Sequence, residues 1–195
     1  MTDQLNIEHG TTAILIMDYQ YRQLLGQQEA RRDALLANAG SVLASARSKG
    51  IPVIYVEVRS RKGPPDFRPW DHYRRQKSGR EDLGKREKEF EIHPAVVPQK
   101  GEVVVTKRRV GPFSTTDLSS VLERLRIETM VLLGISTGGC VLSTVRWAAD
   151  IDYQLIILAD CCADPDEEVH RVLVEKVFPR QATVVTSPEF LEALG

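Results

Sequence analysis

Residues 130–150 read MVLLGISTGGCVLSTVRWAAD, a dense apolar run that passes through a glycine-rich turn into a helix-forming segment. The run Met130–Leu133 is typical of a buried strand, because it is apolar on both faces. Gly138 and Gly139 precede Cys140 at the point where the strand gives way to the helix. The sequence therefore predicts a strand–turn–helix unit with a cysteine at its turn.

The same alternation of strand and helix continues in both directions from this unit. Short apolar runs predict five further strands, and helix-forming segments lie between them. Such alternation is typical of an α/β fold with an open parallel sheet and helices on both faces. The predicted strands are 12–17, 52–57, 102–107, 129–133, 154–159 and 182–185; the predicted helices are 22–49, 114–125, one from about 138, 166–178 and 188–194.

Length and composition predict one domain over residues 1–195. A chain of 195 residues is long enough to bury a core of its own. Periodicity fails only at about residues 59–92, which are rich in proline and charge. So long a segment without periodicity is either a functional flap or interface arm or a solvated surface loop.

Charge and cysteine content exclude several classes of protein. The 26 basic and 27 acidic residues nearly cancel, so we expect no nucleic acid or membrane partner. The sequence has neither an apolar run of bilayer length nor the layout of a signal peptide at its start. Three cysteines do not form a disulfide framework. We expect a cytoplasmic protein whose cysteines are free thiols.

Three reactive side chains are predicted at one edge of the sheet. Asp18 ends the first strand, Lys107 ends the third, and Cys140 lies just past the fourth. Ligands of open α/β sheets bind at the carboxyl ends of the strands. Each residue alone also fits a structural role, as a loop cap, a surface lysine or a small buried hydrophobe.

Together the three groups form a coherent nucleophilic site. The ammonium would stabilise the thiolate, so we expect a thiol that reacts well below pH 8. The carboxylate would accept the thiol proton and later deliver it to a leaving amine. Backbone N–H groups around Ser136 and Cys140 would hold an oxyanion.

Three segments carry a resemblance to a known family. They are ILIMDYQ, VVVTKRRVGPFSTTDL with its Phe-x-x-Thr-x-Leu ending, and GISTGGCVLSTVRWAADIDYQLIILADCCAD. In this order and spacing they resemble the isochorismatase-like cysteine hydrolase superfamily over about residues 10–187. That superfamily includes nicotinamidases, N-carbamoylsarcosine amidases, ureidoacrylate and biuret amidohydrolases, and isochorismatase.

The resemblance implies a three-layer α/β/α sandwich with a six-stranded, mostly parallel, Rossmann-like sheet. It implies a catalytic triad of Cys140, Asp18 and Lys107, and a homodimer or homotetramer. It also implies a cis peptide bond before Ser136 that aims amide groups at the oxyanion. The residues of this oxyanion turn are Ile135, Ser136 and Gly139.

The sequence departs from the metal-binding members of the superfamily. Nicotinamidases carry an Asp-x-His metal pair after the second strand, where this chain has Glu57-Val58-Arg59. Its four histidines are scattered, and His93 and His170 are better interpreted as structural. We therefore expect no metal and no cofactor.

Other polar and aromatic residues near the predicted sheet edge are candidates for substrate binding. Arginines there would receive a substrate carboxylate, or are ordinary surface arginines. Aromatic residues there would form a pocket wall, or pack in the core or an interface. The candidates are Phe113, Arg108, Arg109, Trp70 and Tyr19, with Arg74 and Arg75 in the irregular segment. Asp160 is interpreted as a loop cap, and Cys161 and Cys162 as core residues.

These observations predict a metal-independent cysteine hydrolase. It would cleave a C–N bond of a small amide, carbamoyl or ureido compound through a thioester. Two alternatives stay open: an isochorismatase-like vinyl ether hydrolase, and a catalytically silent binding protein on the same fold. Nucleotide binding is disfavoured because Asp18-Tyr-Gln follows the first strand where a G-x-G-x-x-G turn would stand.

Overall fold

The computed structural model describes residue 5, residues 7–59 and residues 87–195. Most of the irregular segment, including Trp70, Arg74 and Arg75, lies outside the described residues, so what was expected of it stays a prediction. Within the described ranges no helix is long and apolar enough to cross a bilayer.

A six-stranded sheet with the order β3-β2-β1-β4-β5-β6 forms the centre of the fold. Every pair of neighbouring strands is parallel, which confirms the predicted α/β class. The chain order reverses direction between β1 and β4, and this switch point opens a crevice at the carboxyl ends of the strands. The strands are β1 Thr12–Met17, β2 Val53–Val58, β3 Val103–Lys107, β4 Thr129–Ile135, β5 Gln154–Ala163 and β6 Thr183–Val185.

Helices cover both faces of the sheet, and the sheet separates two apolar cores. Along β1, Ala13, Leu15 and Met17 point into one core. Ile14 and Ile16 point into the other, as strand alternation requires. Burial on both faces explains why the strands are continuous apolar runs. The helices are α1 Tyr21–Leu24, α2 Glu29–Ser48, α3 Leu118–Arg124, α4 Leu142–Asp150, α5 Glu167–Val172 and α6 Ser187–Leu194.

The prediction of a single helix over residues 22–49 is wrong, because the helical conformation is interrupted between α1 and α2. Gly26 has a low helix propensity, and Gln28 is extended, with ψ at 147°. The break leaves Leu25 exposed, whereas Leu24 is buried. The predicted end of the helix is confirmed: Gly50 has φ at +70°, the left-handed conformation in which many helices stop.

Two other predicted helices differ in their internal structure. α3 begins at Leu118 because the Thr116 hydroxyl accepts the Leu118 N–H at 3.1 Å, and a 3₁₀ turn precedes it. The helix predicted over 166–178 begins as α5, capped by the Asp166 carboxylate. It continues as a π-helical turn, Leu173–Val177, and a 3₁₀ turn, Phe178–Arg180.

Strand β5 is longer than predicted and runs through to Ala163. Asp160, Cys161 and Cys162 therefore lie inside the strand and not after it. Both cysteines are buried and free, which confirms that they fill the core. Asp160 does act as a cap: its carboxylate accepts the Ser187 N–H at 2.7 Å and the Ser187 hydroxyl at 2.6 Å.

Candidate active site

Asp18 follows β1 directly and adopts a left-handed backbone conformation. Its φ is 57°, a region that few residues other than glycine adopt and that Asp and Asn tolerate best. The Asp18 N–H donates to the Val56 carbonyl at 2.8 Å, which continues the sheet ladder to this residue. The residue is only 5% exposed. Strand β1 thus delivers a buried carboxylate to the crevice.

Lys107 ends β3 and lies against Asp18, although β2 separates the two strands. The Lys107 Nζ is 2.7 Å from the Asp18 Oδ2. It also donates to the carbonyl oxygens of Arg109 at 3.2 Å and Val110 at 3.0 Å. An ammonium has three N–H donors, and these contacts use all three. Lys107 therefore acts on the site through its charge and not as a free hydrogen-bond donor.

Cys140 lies in a π-helical turn, Thr137–Val141, between β4 and α4. Its thiol is buried and donates to the Ser136 carbonyl at 3.5 Å. The Thr144 hydroxyl bonds to the Cys140 carbonyl at 2.7 Å, one turn further along the helix. The thiol and the Asp18 carboxylate are near enough to shift each other's pKa. The structure thus brings Cys140, Asp18 and Lys107 together.

Burial dominates the protonation of this site. It raises the pKa of the Cys140 thiol well above its ordinary value, and the negative charge of Asp18 raises it further against the opposing charge of Lys107. Burial also raises the Asp18 pKa, although Lys107 and the thiol contact lower it. The expectation of a thiol that reacts well below pH 8 stays a prediction, and burial of the thiol opposes it. Burial and the Asp18 charge both favour the neutral thiol, and only the Lys107 charge favours the thiolate.

The alkylation rate of Cys140 by iodoacetamide is expected to keep rising with pH beyond the ordinary thiol pKa of about 8.5, without a plateau below pH 8. Asp18→Asn removes a negative charge that raises the thiol pKa, so Cys140 should react faster at pH 8. Lys107→Met removes the charge that lowers it, so Cys140 should react more slowly. Peptide mapping separates Cys140 from Cys161 and Cys162. A plateau below pH 8, or slower labelling of Asp18→Asn, would contradict this electrostatic account.

The turn that carries Cys140 is built around the Ser136 carbonyl. This oxygen accepts the N–H of Gly139 at 3.2 Å and that of Val141 at 3.3 Å. The peptide bond between Ile135 and Ser136 is cis, at the position that the resemblance implies. Since the Gly139 N–H is engaged within the turn, Ser136 and Cys140 are the better candidates for oxyanion donors.

Two glycines are required by close approach of side chains to this turn. A Cβ at Gly134 would lie 2.7 Å from the Val141 Cγ2 and 3.3 Å from the Cys140 Sγ. A Cβ at Gly139 would lie 2.6 Å from the Ser136 Oγ. Real Cβ atoms do not approach other atoms so closely, so a larger residue at Gly134 would displace Val141 or Cys140, and one at Gly139 would force the Ser136 hydroxyl to move.

Tyr19 was predicted to bind substrate, and the structure corrects this expectation by placing its ring away from Cys140. Its ring is buried in the core that contains Ile14, on the face of the sheet away from Cys140's core. Its hydroxyl donates to the Cys161 carbonyl at 2.7 Å. Strand alternation alone would place Tyr19 on the same face as Met17, but the left-handed backbone of Asp18 interrupts the alternation and Tyr19 lies on the opposite face. Tyr19 therefore ties β1 to β5 and does not line the crevice.

The other substrate-binding candidates lie beside the site or outside the described residues. Phe113 is buried in the same core as Cys140 and stacks on Trp147 with ring centres 6.2 Å apart. Arg108 and Arg109 are half-buried in the loop that wraps the Lys107 ammonium. Trp147 is 48% exposed, and sequence reasoning missed it because it reads as an ordinary residue of α4.

A buried Glu57 was also missed as part of the electrostatics of the site. Its carboxylate contacts the Arg59 Nε at 2.5 Å and the Thr106 hydroxyl at 3.0 Å, and its charge raises the Asp18 pKa. The signal was an acid inside an otherwise apolar strand. This ion pair stands where nicotinamidases carry the metal pair. Across residues 7–59 and 87–195 no cluster of His, Cys, Asp and Glu has the geometry of a metal site.

The histidines that were interpreted as structural have structural contacts. The His93 Nδ1 accepts the Ala95 N–H at 3.3 Å and begins a 3₁₀ turn. The His170 Nδ1 lies 2.8 Å from the Thr137 Oγ1, so α5 is attached to the turn of the nucleophile. Burial lowers the pKa of both rings.

Comparison with known proteins places this chain in a family. The protein-family model of the isochorismatase domain matches residues 12–189, which is most of the chain. The chain belongs to the isochorismatase family. An isochorismatase family protein of Bacillus subtilis is 32% identical over 192 residues, which cover 98% of each chain. Isochorismatase-family proteins thus resemble this chain over its whole length.

More distant relatives of this isochorismatase-family chain carry names that state an activity. A maleamate amidohydrolase of Pseudomonas putida is 27% identical, and the matched region covers 83% of this chain and 75% of the relative. A ureidoacrylate amidohydrolase of Pseudomonas syringae is 29% identical and covers 81% of this chain and 73% of its own length. The crystal structure of a cysteine hydrolase from Pseudomonas syringae has the same fold, with a TM-score of 0.85, 22% identity and coverage of 97% and 95%.

Proposed function

We propose that this isochorismatase-family chain is a metal-independent cysteine hydrolase that cleaves a C–N bond of a small amide, carbamoyl or ureido compound. The buried contact of Cys140 with the Asp18–Lys107 pair carries the proposal. A nucleophile, a proton acceptor and a fixed positive charge are the parts that acyl transfer requires. The distant amidohydrolase relatives support the choice of an amide or ureido group over an ether.

The first step joins proton transfer to nucleophilic attack. Burial raises the pKa of the thiol and so favours its neutral form, and the proton leaves as the sulfur attacks the carbonyl carbon. The acceptor is the Asp18 Oδ1, which has no hydrogen-bond partner among the described residues. Lys107 holds the other oxygen of that carboxylate at 2.7 Å and so keeps the Oδ1 in position. Its positive charge also stabilises the negative charge of the tetrahedral intermediate.

The second half of the reaction returns the proton. The C–N bond breaks, and the leaving amine or ammonia takes the proton from Asp18, whose raised pKa suits a carboxyl that holds and gives up a proton. A thioester on Cys140 remains. Water then attacks it while Asp18 accepts the water proton, and the released thiolate recovers that proton as the acid leaves.

Ammonia release from a panel of small amides tests this function. The panel contains maleamate, ureidoacrylate and N-carbamoyl amino acids, with isochorismate as the ether substrate. We expect ammonia from at least one amide or ureido compound and no pyruvate from isochorismate. Arg108 and Arg109 would receive the carboxylate of such acids, so the matching neutral amides should have a higher KM. Turnover of isochorismate alone would contradict amide cleavage and favour the vinyl ether alternative.

A further inference from the structure

Asp164 is a buried carboxylate that the proposed mechanism does not use. It follows β5 directly and is 8% exposed. Its neighbour Ala163 pairs with Ile135 at the carboxyl end of β4. Because β4 and β5 are adjacent, Asp164 lies beside the turn that β4 delivers to Cys140. Its surroundings therefore bear on where the nucleophile stands.

Both oxygens of Asp164 accept backbone N–H groups. The Oδ2 accepts the N–H of Gly138 at 2.7 Å, and the Oδ1 accepts that of Asp166 at 3.2 Å. A charged acceptor makes a stronger bond to an N–H than a neutral one does. One carboxylate thus joins two parts of the chain: Gly138, two residues before Cys140 in the turn of the nucleophile, and the start of α5.

The fit around Gly138 is close on both sides. A Cβ there would lie 3.1 Å from the Asp164 Oδ2 and 3.0 Å from the Val169 Cγ1. The adjacent residue Thr137 bonds to His170 on α5 at 2.8 Å. Two successive residues of the turn are therefore held from the same side, and the Gly138 N–H would have only solvent without Asp164.

We propose that Asp164 is a positioning residue for the nucleophile. By holding the Gly138 N–H it fixes the turn that carries the Cys140 sulfur and the oxyanion-binding amides. This inference rests on the proposed function, because it assigns Asp164 to the geometry of acyl transfer. A shift of about 1 Å at a reacting centre can cost about a hundredfold in rate, so a fixed turn matters for acylation. It matters less for alkylation, which forms no oxyanion.

Two probes separate these effects without a natural substrate. p-Nitrophenyl acetate acylates a thiol: the sulfur bonds to the acetyl carbon, p-nitrophenolate leaves, and the thiol proton passes to Asp18. Its rate depends on the thiol and on the oxyanion-binding amides. Iodoacetamide alkylates the thiol: the sulfur bonds to the CH2 carbon, iodide leaves and the thiol proton is lost, so the rate depends on ionisation of the thiol and not on the oxyanion-binding amides. The ratio of the two rates therefore reports the geometry of the turn.

Asp164→Ala should lower the acylation rate of Cys140 by about tenfold or more while its alkylation rate stays within about threefold of the wild type. The matched control is Asp166→Ala. It removes the α5 cap on Glu168 and Val169 but keeps the bond between Asp164 and Gly138. Both rates of the control should stay within about threefold of the wild type. The burst of p-nitrophenolate and intact mass measure the two reactions.

Asp164→Asn serves as a second variant if Asp164→Ala does not fold. An amide offers one acceptor and one donor, so one of the two N–H groups loses its partner and acylation should fall by a smaller factor. Unchanged acylation in the folded Asp164 variants, or equal losses in Asp166→Ala, would overturn the positioning role alone. A wild type that is alkylated but never acylated would overturn the proposed function, and the inference with it.

Discussion

Replacement of Cys140 by serine is expected to lower kcat for amide hydrolysis by about 10⁴-fold or more, because no other group can form the acyl intermediate. The serine hydroxyl is a much weaker acid than a thiol, and Asp18 is not basic enough to ionise it. The side chain is nearly the same size and stays within the buried turn, so the fold should survive. Ammonia release from the best substrate of the panel, with circular dichroism as a check of folding, measures the effect.

The other two cysteines provide matched controls for this substitution. Cys161 and Cys162 are as buried as Cys140, but they lie in β5. The thiol that lowers the Asp18 pKa is that of Cys140. Burial raises the pKa of Cys162 to about 12. Cys161→Ala and Cys162→Ala should keep kcat within about threefold, with any loss appearing as stability. Cleavage by Cys140→Ser at a tenth of the wild-type rate would show that the reaction does not depend on the Cys140 thiol.

Much of the fold could be predicted because burial on both faces leaves a strong mark in the sequence. Strand β1 contains five apolar residues in a row and is followed by Asp18, and its predicted bounds are those of the structure. Element ends were predicted less well where tertiary contacts decide them. Strand β5 extends past its apolar run because Asp160 and Cys161 find partners in α6 and in Tyr19, and nothing local in the sequence indicates these contacts.

The sequence predicts that the three side chains meet, but not the direction in which burial shifts the pKa of the thiol. Asp18, Lys107 and Cys140 each stand at the end of a strand or in the turn after it, so topology alone predicts that they meet. The pKa of a thiol depends on how much solvent it loses, and burial is a property of the whole fold. Asp164 was missed for the same reason. The role proposed for it depends on its contact with the Gly138 N–H, and no spacing in the sequence indicates that contact.

Lys107→Met is expected to lower the free energy of unfolding at pH 8 by about 3–5 kcal/mol, because it leaves the Asp18 carboxylate buried without its counter-charge. Met fills a similar volume, so packing changes little. The carbonyl oxygens of Arg109 and Val110 also lose their donor. Urea unfolding of the variant and the wild type measures the difference.

The loss in Lys107→Met should depend on pH with a definite sign. Burial already raises the Asp18 pKa, and removal of the ammonium, which lowers it, raises it further. Between the unfolded pKa of about 3.9 and this raised pKa, the folded state binds a proton that the unfolded state has released. The free energy of unfolding therefore falls as pH rises through that window. The variant should come closest to the wild type at acid pH, where Asp18 is neutral.

The double variant Lys107→Met/Asp18→Asn separates charge from hydrogen bonding. It removes both charges, and Asn tolerates the left-handed backbone of residue 18. We expect it to recover about 2 kcal/mol or more of the loss at pH 8 and to show little of the pH dependence. What it does not recover is the cost of the two unpaired carbonyls. Equal stability of the single and double variants at pH 8 would mean that Asp18 is already neutral in Lys107→Met at that pH, and the whole loss would then come from the carbonyl oxygens of Arg109 and Val110.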